Sequence, residues 1–104
     1  MSCLWVITVS EGKRIKLDFQ ALDVEWSRNC YKDYVKVYDG LHRTSTLKKT
    51  LCGSSAPREE IYSSGRHMTV QFHSDGSDNV SYGFKAHFDE YNPSKCNPFF
   101  VRVY

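Results

Sequence analysis

The sequence predicts an all-β protein built as an antiparallel β-sandwich. Apolar and polar residues alternate in several short runs, which is the pattern of half-buried strands. No segment of the 104 residues shows a sustained 3.6-residue apolar period, which would indicate a helix. Turn signals rich in Gly, Asp and Ser separate the runs, and several short strands with such turns between them favour two packed antiparallel sheets.

Four candidate strands occupy the first half of the chain. The first ends at the turn signal of residues 10–12, and the third is broken by Asp39-Gly40. A weaker fourth strand covers Thr46 to Leu51. The alternating residues expected to share the inner face of the first three strands are Trp5, Ile7 and Val9, then Ile15, Leu17 and Phe19, and then Val35 and Val37.

Two further candidate strands follow a loop at residues 53–57. The first is expected to turn Met68, Val70 and Phe72 inward, and the second Phe84, Ala86 and Phe88. From residue 92 the chain contains two Asn-Pro pairs and Cys96, which is typical of an exit linker. We therefore place one domain at residues 1–91 and a tail or linker at residues 92–104.

Size and charge exclude several classes of function. A chain of 104 residues forms one domain or part of one. Its formal net charge of +2 is too small to indicate binding to nucleic acid. No apolar run approaches the roughly 20 residues of a membrane span. The first residues lack the features of a signal peptide, so if the protein is secreted we expect the signal to lie upstream of Met1.

The cysteines indicate an oxidising compartment. The four of them are widely spaced and form no Cys-x-x-Cys pair of the kind that binds zinc. Dispersed cysteines in a small β protein favour disulfides. Asn79-Val80-Ser81 is a possible N-glycosylation site, although such short sequences also arise by chance. These features predict a secreted glycoprotein or the extracellular part of a larger protein.

Acidic residues gather at the ends of the predicted strands. Glu25 closes the second run, Asp33 opens the third, and Asp75 follows the strand that contains Met68. Ser77 and Asp78 come directly afterwards. Carboxylates brought to one end of a sandwich repel each other unless a cation neutralises them, and Ca²⁺ prefers six to eight oxygen ligands. The simpler interpretation is that these residues cap turns through local hydrogen bonds.

The order of short motifs along the chain resembles the CUB domain. This family is the extracellular β-sandwich module of complement proteases, tolloid-type metalloproteases, neuropilins, cubilin and spermadhesins. The resemblance runs over about residues 3 to 88 and is more specific than any one motif. The matching stretches are Cys3-Leu4-Trp5-Val6-Ile7, Gly12, Ile15-Lys16-Leu17-Asp18-Phe19, Leu22-Asp23-Val24-Glu25, Cys30-Tyr31-Lys32-Asp33-Tyr34-Val35, Asp39-Gly40, Cys52-Gly53, Pro57, Ser63-Ser64-Gly65, Met68-Thr69-Val70-Gln71-Phe72, Ser74-Asp75 and Tyr82-Gly83-Phe84.

The resemblance to calcium-binding CUB domains implies both a metal site and a partner. The primary Ca²⁺ ligands match Glu25, Asp33 and Asp75, and the residues that supply further oxygens match Ser77 and Asp78. In that subfamily the same three carboxylates also bind a lysine or arginine of a partner protein. Trp26, if exposed, would anchor the contact beside this site. The implied function is extracellular, calcium-dependent protein–protein interaction.

The resemblance also concerns the cysteines and the start of the domain. It pairs Cys30 with Cys52, a loop of about 22 residues whose closure contributes about 3 kcal/mol. A complete family member begins with a further strand region that holds the usual partner of Cys3. That region is missing here, so we expect a jelly-roll-like CUB fold with an exposed sheet edge. Cys3 and Cys96 would pair with each other, with upstream chain or with a following module.

Two other functions remain as alternatives to calcium-dependent binding. Spermadhesin-like binding of heparin-like or other acidic glycans would use a basic set of residues and would not depend on calcium. An accessory targeting role in a larger protease is the second alternative. The chain itself is not expected to be an enzyme, because it contains no metalloprotease, hydrolase or phosphate-loop motif. The basic set comprises His42, Arg43, Lys48, Lys49, Arg58 and Arg66.

Overall fold

The structure, a computed structural model, describes residues 2–75 and 83–93. These residues form seven strands and one short 3₁₀ turn. The strands are β1 (Ser2–Thr8), β2 (Arg14–Asp23), β3 (Tyr34–Asp39), β4 (Thr46–Leu51), β5 (Ile61–Tyr62), β6 (His67–His73) and β7 (Gly83–Tyr91), and the turn is Arg28–Cys30.

The strands form two antiparallel sheets. The first has the order β1-β6-β3-β4, and the second has the order β5-β2-β7. Every strand pair in both sheets is antiparallel. The predicted all-β antiparallel sandwich is therefore confirmed. Among the described strands, β1 and β4 are the two edges of the first sheet.

The inner faces of β2 and β3 supply about half of the buried hydrophobic core. Ile15, Leu17 and Phe19 on β2 are at most 3% exposed, and Val35 and Val37 on β3 are completely buried. The predicted alternation of these two strands is confirmed, and β4 has the bounds predicted from the sequence. Each such aliphatic or aromatic side chain stabilises the fold by about 1.5–3 kcal/mol when it is fully buried.

Both faces of the central strand β6 are buried. Met68, Val70 and Phe72 belong to the core as predicted, but Thr69 and Gln71 between them are also at most 5% exposed. The Thr69 hydroxyl donates to the Gly40 carbonyl at 2.8 Å, and Gln71 Oε1 accepts the Tyr38 hydroxyl at 3.0 Å. Because β6 lies between β1 and β3, neighbours on both sides cover these polar side chains.

The strand β7 and the side chain of Trp5 differ from the expected burial. Phe88 and Ala86 lie in register with the buried Leu17 and Phe19, but both are exposed, Phe88 by 48%. Trp5 is 47% exposed, although its ring contacts Phe84 edge to face at 5.5 Å. Among the described strands, β1 and β7 each lie at the edge of a sheet, so their inward-facing residues have a neighbouring strand on one side only.

Candidate metal centre

Three of the predicted ligands meet at one end of the sandwich. Asp33 directly precedes β3, and Asp75 lies two residues after β6. Tyr34 pairs with His73 in the antiparallel β3–β6 register, so the start of β3 and the end of β6 lie side by side. Glu25 comes from the segment after β2 and therefore from the opposite sheet. The site thus joins the two sheets at their loop end.

The carboxylates of Glu25, Asp33 and Asp75 form a compact cluster, which we call the acidic cluster. One carboxylate oxygen from each residue lies within 4.8 Å of the others. Asp33 is only 1% exposed, Glu25 is half-buried and Asp75 is exposed. Three negative charges at such distances repel each other, and a cation between them removes that repulsion. An all-oxygen set of this kind fits Ca²⁺, whereas structural zinc sites are built from Cys and His.

Hydrogen bonds hold the buried carboxylate of Asp33 in place. The backbone N–H of Asp75 donates to Asp33 Oδ1 at 3.0 Å. The hydroxyl of Ser74 approaches Asp33 Oδ2 at 3.4 Å. Both oxygens are thereby oriented at the loop end of the sandwich. Ser74 was not among the predicted site residues. The available indication in the sequence was the Ser74-Asp75 pair directly after a predicted strand.

Two cross-links between segments position Glu25. Val24 and Gly53 exchange backbone hydrogen bonds of 3.0 and 2.8 Å. A disulfide joins Cys30 to Cys52, the residue before Gly53, so the pairing implied by the resemblance is present. Gly53 has a φ of +96°, which disfavours any side chain there. The loop after β2 is therefore tied at both ends to the segment after β4.

Two aromatic side chains project from this tied loop. Trp26, directly after Glu25, is 71% exposed, which meets the condition for a contact anchor. Tyr31, two residues before Asp33, is 66% exposed, and the Lys32 ammonium lies 5.8 Å from its ring centre. Tyr31 was not among the predicted contact residues. The available indication in the sequence was its position between Cys30 and Asp33.

A stack of side chains braces the strand ends that carry Asp33 and Asp75. The Tyr34 ring stacks on the His73 ring, with centroids 5.0 Å apart and an interplanar angle of 24°. The Lys36 ammonium lies 4.4 Å from the centre of the same Tyr34 ring. Cation–π contacts and aromatic stacking of this kind each contribute about 0.5–1 kcal/mol. The stack restrains the relative position of β3 and β6 beside the acidic cluster.

Several predicted residues lie outside the described part of the chain. These are Ser77, Asp78, Asn79 and Cys96, and their roles as ligands, glycosylation site and disulfide partner stay predictions. Cys3 is half-buried, and it has no disulfide partner among residues 2–75 and 83–93.

The basic set does not form one isolated patch. Lys48 and Lys49 line a groove of about 290 Å³ together with Glu59 and Glu60. Arg66 uses its Nε to donate to the Val9 carbonyl at 3.0 Å, in a different part of the molecule. Acidic side chains beside the lysines reduce the positive potential that an anionic glycan would require.

Two antiparallel sheets with an acidic cluster at one loop end are the features of a small β-sandwich binding module. A family model described as CUB domain matches residues 1–88. The chain belongs to the CUB domain family. Residues 2–75 and 83–93 include no helix long and apolar enough to cross a membrane.

Curated relatives agree with the family assignment. The chain is 39% identical to human Tolloid-like protein 1 over 76% of this chain and 8% of the relative. It is 38% identical to dog cubilin over 90% of this chain and 3% of the relative. It is 41% identical to the chicken astacin-like metalloendopeptidase over 84% of this chain and 21% of the relative. The chain thus spans less than a quarter of each of these proteins.

Solved structures give the same result. The CUB1-EGF-CUB2 structure of human MASP-1/3 matches 88% of this chain and 36% of its own length, with a TM-score of 0.79 and 34% identity. The full extracellular region of zebrafish Gpr126/Adgrg6 matches 88% of this chain and 12% of its own length, with a TM-score of 0.75 and 27% identity. CUB domains are non-catalytic modules of extracellular proteins, and the proteases that contain them carry their activity in other domains.

Proposed function

We propose that this chain is an extracellular protein-interaction module that binds a basic side chain of a partner protein in a calcium-dependent way. The observation that carries the proposal is the acidic cluster, in which oxygens of Glu25, Asp33 and Asp75 lie within 4.8 Å of one another. Carboxylates so close together are costly without a cation. Membership of the CUB family supports the same role.

Some residues of the site bind the metal, and others hold the metal ligands in position. Glu25, Asp33 and Asp75 are the primary Ca²⁺ ligands, and Ser77 and Asp78 complete the oxygen shell. When bound, Ca²⁺ supplies the positive charge that offsets the repulsion within the acidic cluster. The backbone N–H of Asp75 and the Ser74 hydroxyl keep the Asp33 carboxylate oriented toward the site.

The partner contributes a lysine ammonium or an arginine guanidinium. Asp75 is exposed and Glu25 is half-buried, so their outer oxygens accept hydrogen bonds from a cationic group arriving from solvent. Such charge-assisted bonds are about twice as strong as neutral ones. The exposed ring of Trp26 covers the apolar stem of the same side chain, and this contact excludes water from the ionic bonds.

The remaining predictions fit this role. The domain comprises residues 1–91, with a tail or linker at residues 92–104. The disulfide between Cys30 and Cys52 suits a secreted protein or the extracellular part of a larger one. Asn79 would carry a glycan, two residues after Ser77 in the sequence.

A targeting role within a larger protease is compatible with this proposal. Similarity to Tolloid-like protein 1 and to the astacin-like metalloendopeptidase supports it, because the chain covers only a small share of each. A protease domain elsewhere in the parent protein would establish it. The calcium-independent glycan alternative is less well supported, since Glu59 and Glu60 share the groove of Lys48 and Lys49.

The direct test is binding of the chain to a polylysine surface, with polyglutamine as the blank surface. In millimolar calcium we expect saturable binding that disappears in EDTA and in the Asp75→Ala variant. Asp89→Ala is the matched control, because Asp89 is an exposed carboxylate on β7 and not part of the acidic cluster. Binding that persists in EDTA or in Asp75→Ala, or no binding in calcium, would overturn the proposal.

A further inference from the structure

Among the strands that the structure describes, β1 pairs with β6 only and leaves its other side open. The N–H of Val9 donates to the carbonyl of Arg66 at 3.0 Å, which is the next position in the β1–β6 register. Backbone groups alternate in direction along an antiparallel strand. The N–H and C=O groups of the even-numbered residues of β1 therefore point away from β6, namely those of Ser2, Leu4, Val6 and Thr8.

The open side of β1 carries none of the features that usually prevent strand pairing. Its seven residues include no charged residue and no proline, and its register with β6 has no bulge. Leu4 is 49% exposed and Val6 is 53% exposed on the outer face, and Trp5 is 47% exposed on the inner face. A long, uncharged and apolar edge of this kind is a template for pairing with another strand.

Residues of similar type lie at equal distances on either side of Trp5 in β1. Ser2 and Thr8 are hydroxyl residues at equal distance from Trp5, and Leu4 and Val6 are aliphatic neighbours on either side. When two copies pair antiparallel about a two-fold axis at Trp5, Leu4 lies opposite Val6 of the partner subunit. The even-numbered residues then exchange their backbone hydrogen bonds, and they are the residues whose groups point outward.

We propose that this chain forms a two-fold symmetric homodimer through antiparallel pairing of two β1 strands. Self-complementary patches of this kind give closed, isologous dimers. No like charges meet, because β1 has no charged residue. The Ser2 end of β1 pairs with His73, two residues before Asp75, so the two acidic clusters lie at opposite ends of the joined sheet. The dimer therefore leaves both clusters accessible and does not depend on calcium.

The pairing register determines where Cys3 lies in the dimer. In the dimer, Cys3 lies opposite Ile7 of the partner subunit, and the two copies of Cys3 are about four residues, or roughly 13 Å, apart along the strands. A disulfide requires Cα atoms within about 7 Å. The dimer is therefore held by strand pairing and not by a disulfide between the two Cys3 residues, and it persists in reducing agent.

The first experiment is sedimentation equilibrium of the 104-residue chain in EDTA and reducing agent, from about 1 to 100 μM. We expect a concentration-dependent dimer that Leu4→Lys and Val6→Lys each weaken about tenfold or more, because each removes two apolar cross-strand pairs. Leu47→Lys is the matched control, because Leu47 is 48% exposed on the edge strand β4. A chain that is monomeric throughout, or a dimer equally sensitive to Leu47→Lys, would overturn the proposal.

The second experiment tests the register. In the Ile7→Cys variant the new thiol lies directly opposite Cys3 of the partner subunit, at a Cα separation of about 4.5 Å that permits a disulfide. Mild oxidation should give a covalent dimer that reductant reverses, whereas Leu47→Cys should give none. A dimer that does not cross-link contradicts the register. A monomer in which the amides of Leu4 and Val6 resist hydrogen exchange would mean that another segment of the chain occupies the edge.

Discussion

The acidic cluster and the β1 edge are both accessible surfaces, but they have opposite chemistry. The acidic cluster concentrates three carboxylates and is held by links between the two sheets. The β1 edge has no charge at all and is a continuous strand with an open backbone. One surface therefore depends on a cation and on electrostatic attraction, and the other on hydrogen bonds and apolar contact. The two should respond independently to chelator, salt and mutation.

The opposite edge of the same sheet shows what protects an edge from pairing. The strand β4 carries Lys48 and Lys49, and its pairing with β3 shifts register between Val37 and Tyr38. Charged side chains and bulges both discourage the addition of a further strand. The difference between β1 and β4 indicates that pairing capacity is set locally, by a few residues on each edge.

Removing the disulfide between Cys30 and Cys52 should have the largest effect on the free energy of unfolding. It should also disturb the acidic cluster. The double variant Cys30→Ala, Cys52→Ala should lose about 2–5 kcal/mol of unfolding free energy, measured by urea denaturation. The calcium response should weaken as well, because the loop that carries Glu25 loses one of its ties. Cys3→Ser is the control and should cost less than about 0.5 kcal/mol. Equal stability of the two variants would contradict this account of the loop.

Tyr38→Phe should destabilise the fold while leaving both surfaces unchanged. The variant leaves the oxygen of the buried Gln71 without its donor, at a cost of about 1–3 kcal/mol. Thermal unfolding measures the loss, and sedimentation and calcium titration should match the wild type. If the stability were unchanged, the hydrogen bond between the two side chains would not matter to the fold.

The Tyr38 hydroxyl should also make the wild type and Tyr38→Phe respond differently in stability to alkaline pH. Burial raises the pKa of Tyr38 above its usual value of 10.0. A raised pKa in the folded state means that the stabilisation is complete below pH 10 and is lost as the pH rises through the folded value. The wild type should therefore lose stability above pH 10 and approach Tyr38→Phe, which has no phenol there to ionise. Parallel stability curves for the two proteins would contradict this.

Asp33→Asn should separate metal affinity from folding. The amide keeps the shape of the side chain and an oxygen that accepts the Asp75 N–H, but it removes one negative charge from the acidic cluster. Calcium affinity, measured by calorimetric titration, should fall by at least about tenfold, because ligand charge sets the affinity of such sites. Asp89→Asn is the control and should bind calcium like the wild type. Unchanged affinity in Asp33→Asn would exclude Asp33 as a ligand.

Salt should have the smallest effect on binding, but it should affect polylysine binding and β1 dimerisation differently. Raising sodium chloride from about 0.05 to 0.5 M shortens the screening length several-fold and should weaken binding to polylysine. The dissociation constant of the β1 dimer should stay nearly constant, because no charged residue takes part in the pairing. Salt-sensitive dimerisation, or polylysine binding that salt does not affect, would contradict the assignment of charge to only one of the two surfaces.

The alternating runs of the sequence predicted β2 and β3 well, because side-chain alternation reports directly on which face of a strand is buried. The bounds of β4 were also predicted, although burial does not alternate along that strand. The two-residue strand β5 was not predicted, since Ile61–Tyr62 is too short to show a period. The alternation of apolar and polar residues also could not predict the burial of Thr69 or the exposure of Phe88. They depend on whether a strand is central or at an edge, which is set by the order of strands in the sheet.

The acidic cluster was anticipated through the family resemblance and not from the spacing of the residues. Glu25, Asp33 and Asp75 lie up to fifty residues apart, and their proximity follows from the antiparallel pairing of β3 with β6 and from the links to Gly53. Calcium binding by these three residues stays a prediction. The Ser74 contact with Asp33 could not be derived from the sequence, because it depends on the path of the chain after β6.

Thermal unfolding of the 104-residue chain in 10 mM calcium and in EDTA tests the calcium site most directly. Extracellular sites often bind with dissociation constants of about 10⁻⁴–10⁻³ M. Binding to the folded state alone then adds about 1.4–2.7 kcal/mol, which raises the melting temperature by several degrees. We expect this rise in the wild type and in Asp89→Ala, and its loss in Asp75→Ala. A cooperative transition with the same midpoint in calcium and in EDTA would contradict a calcium site at Glu25, Asp33 and Asp75.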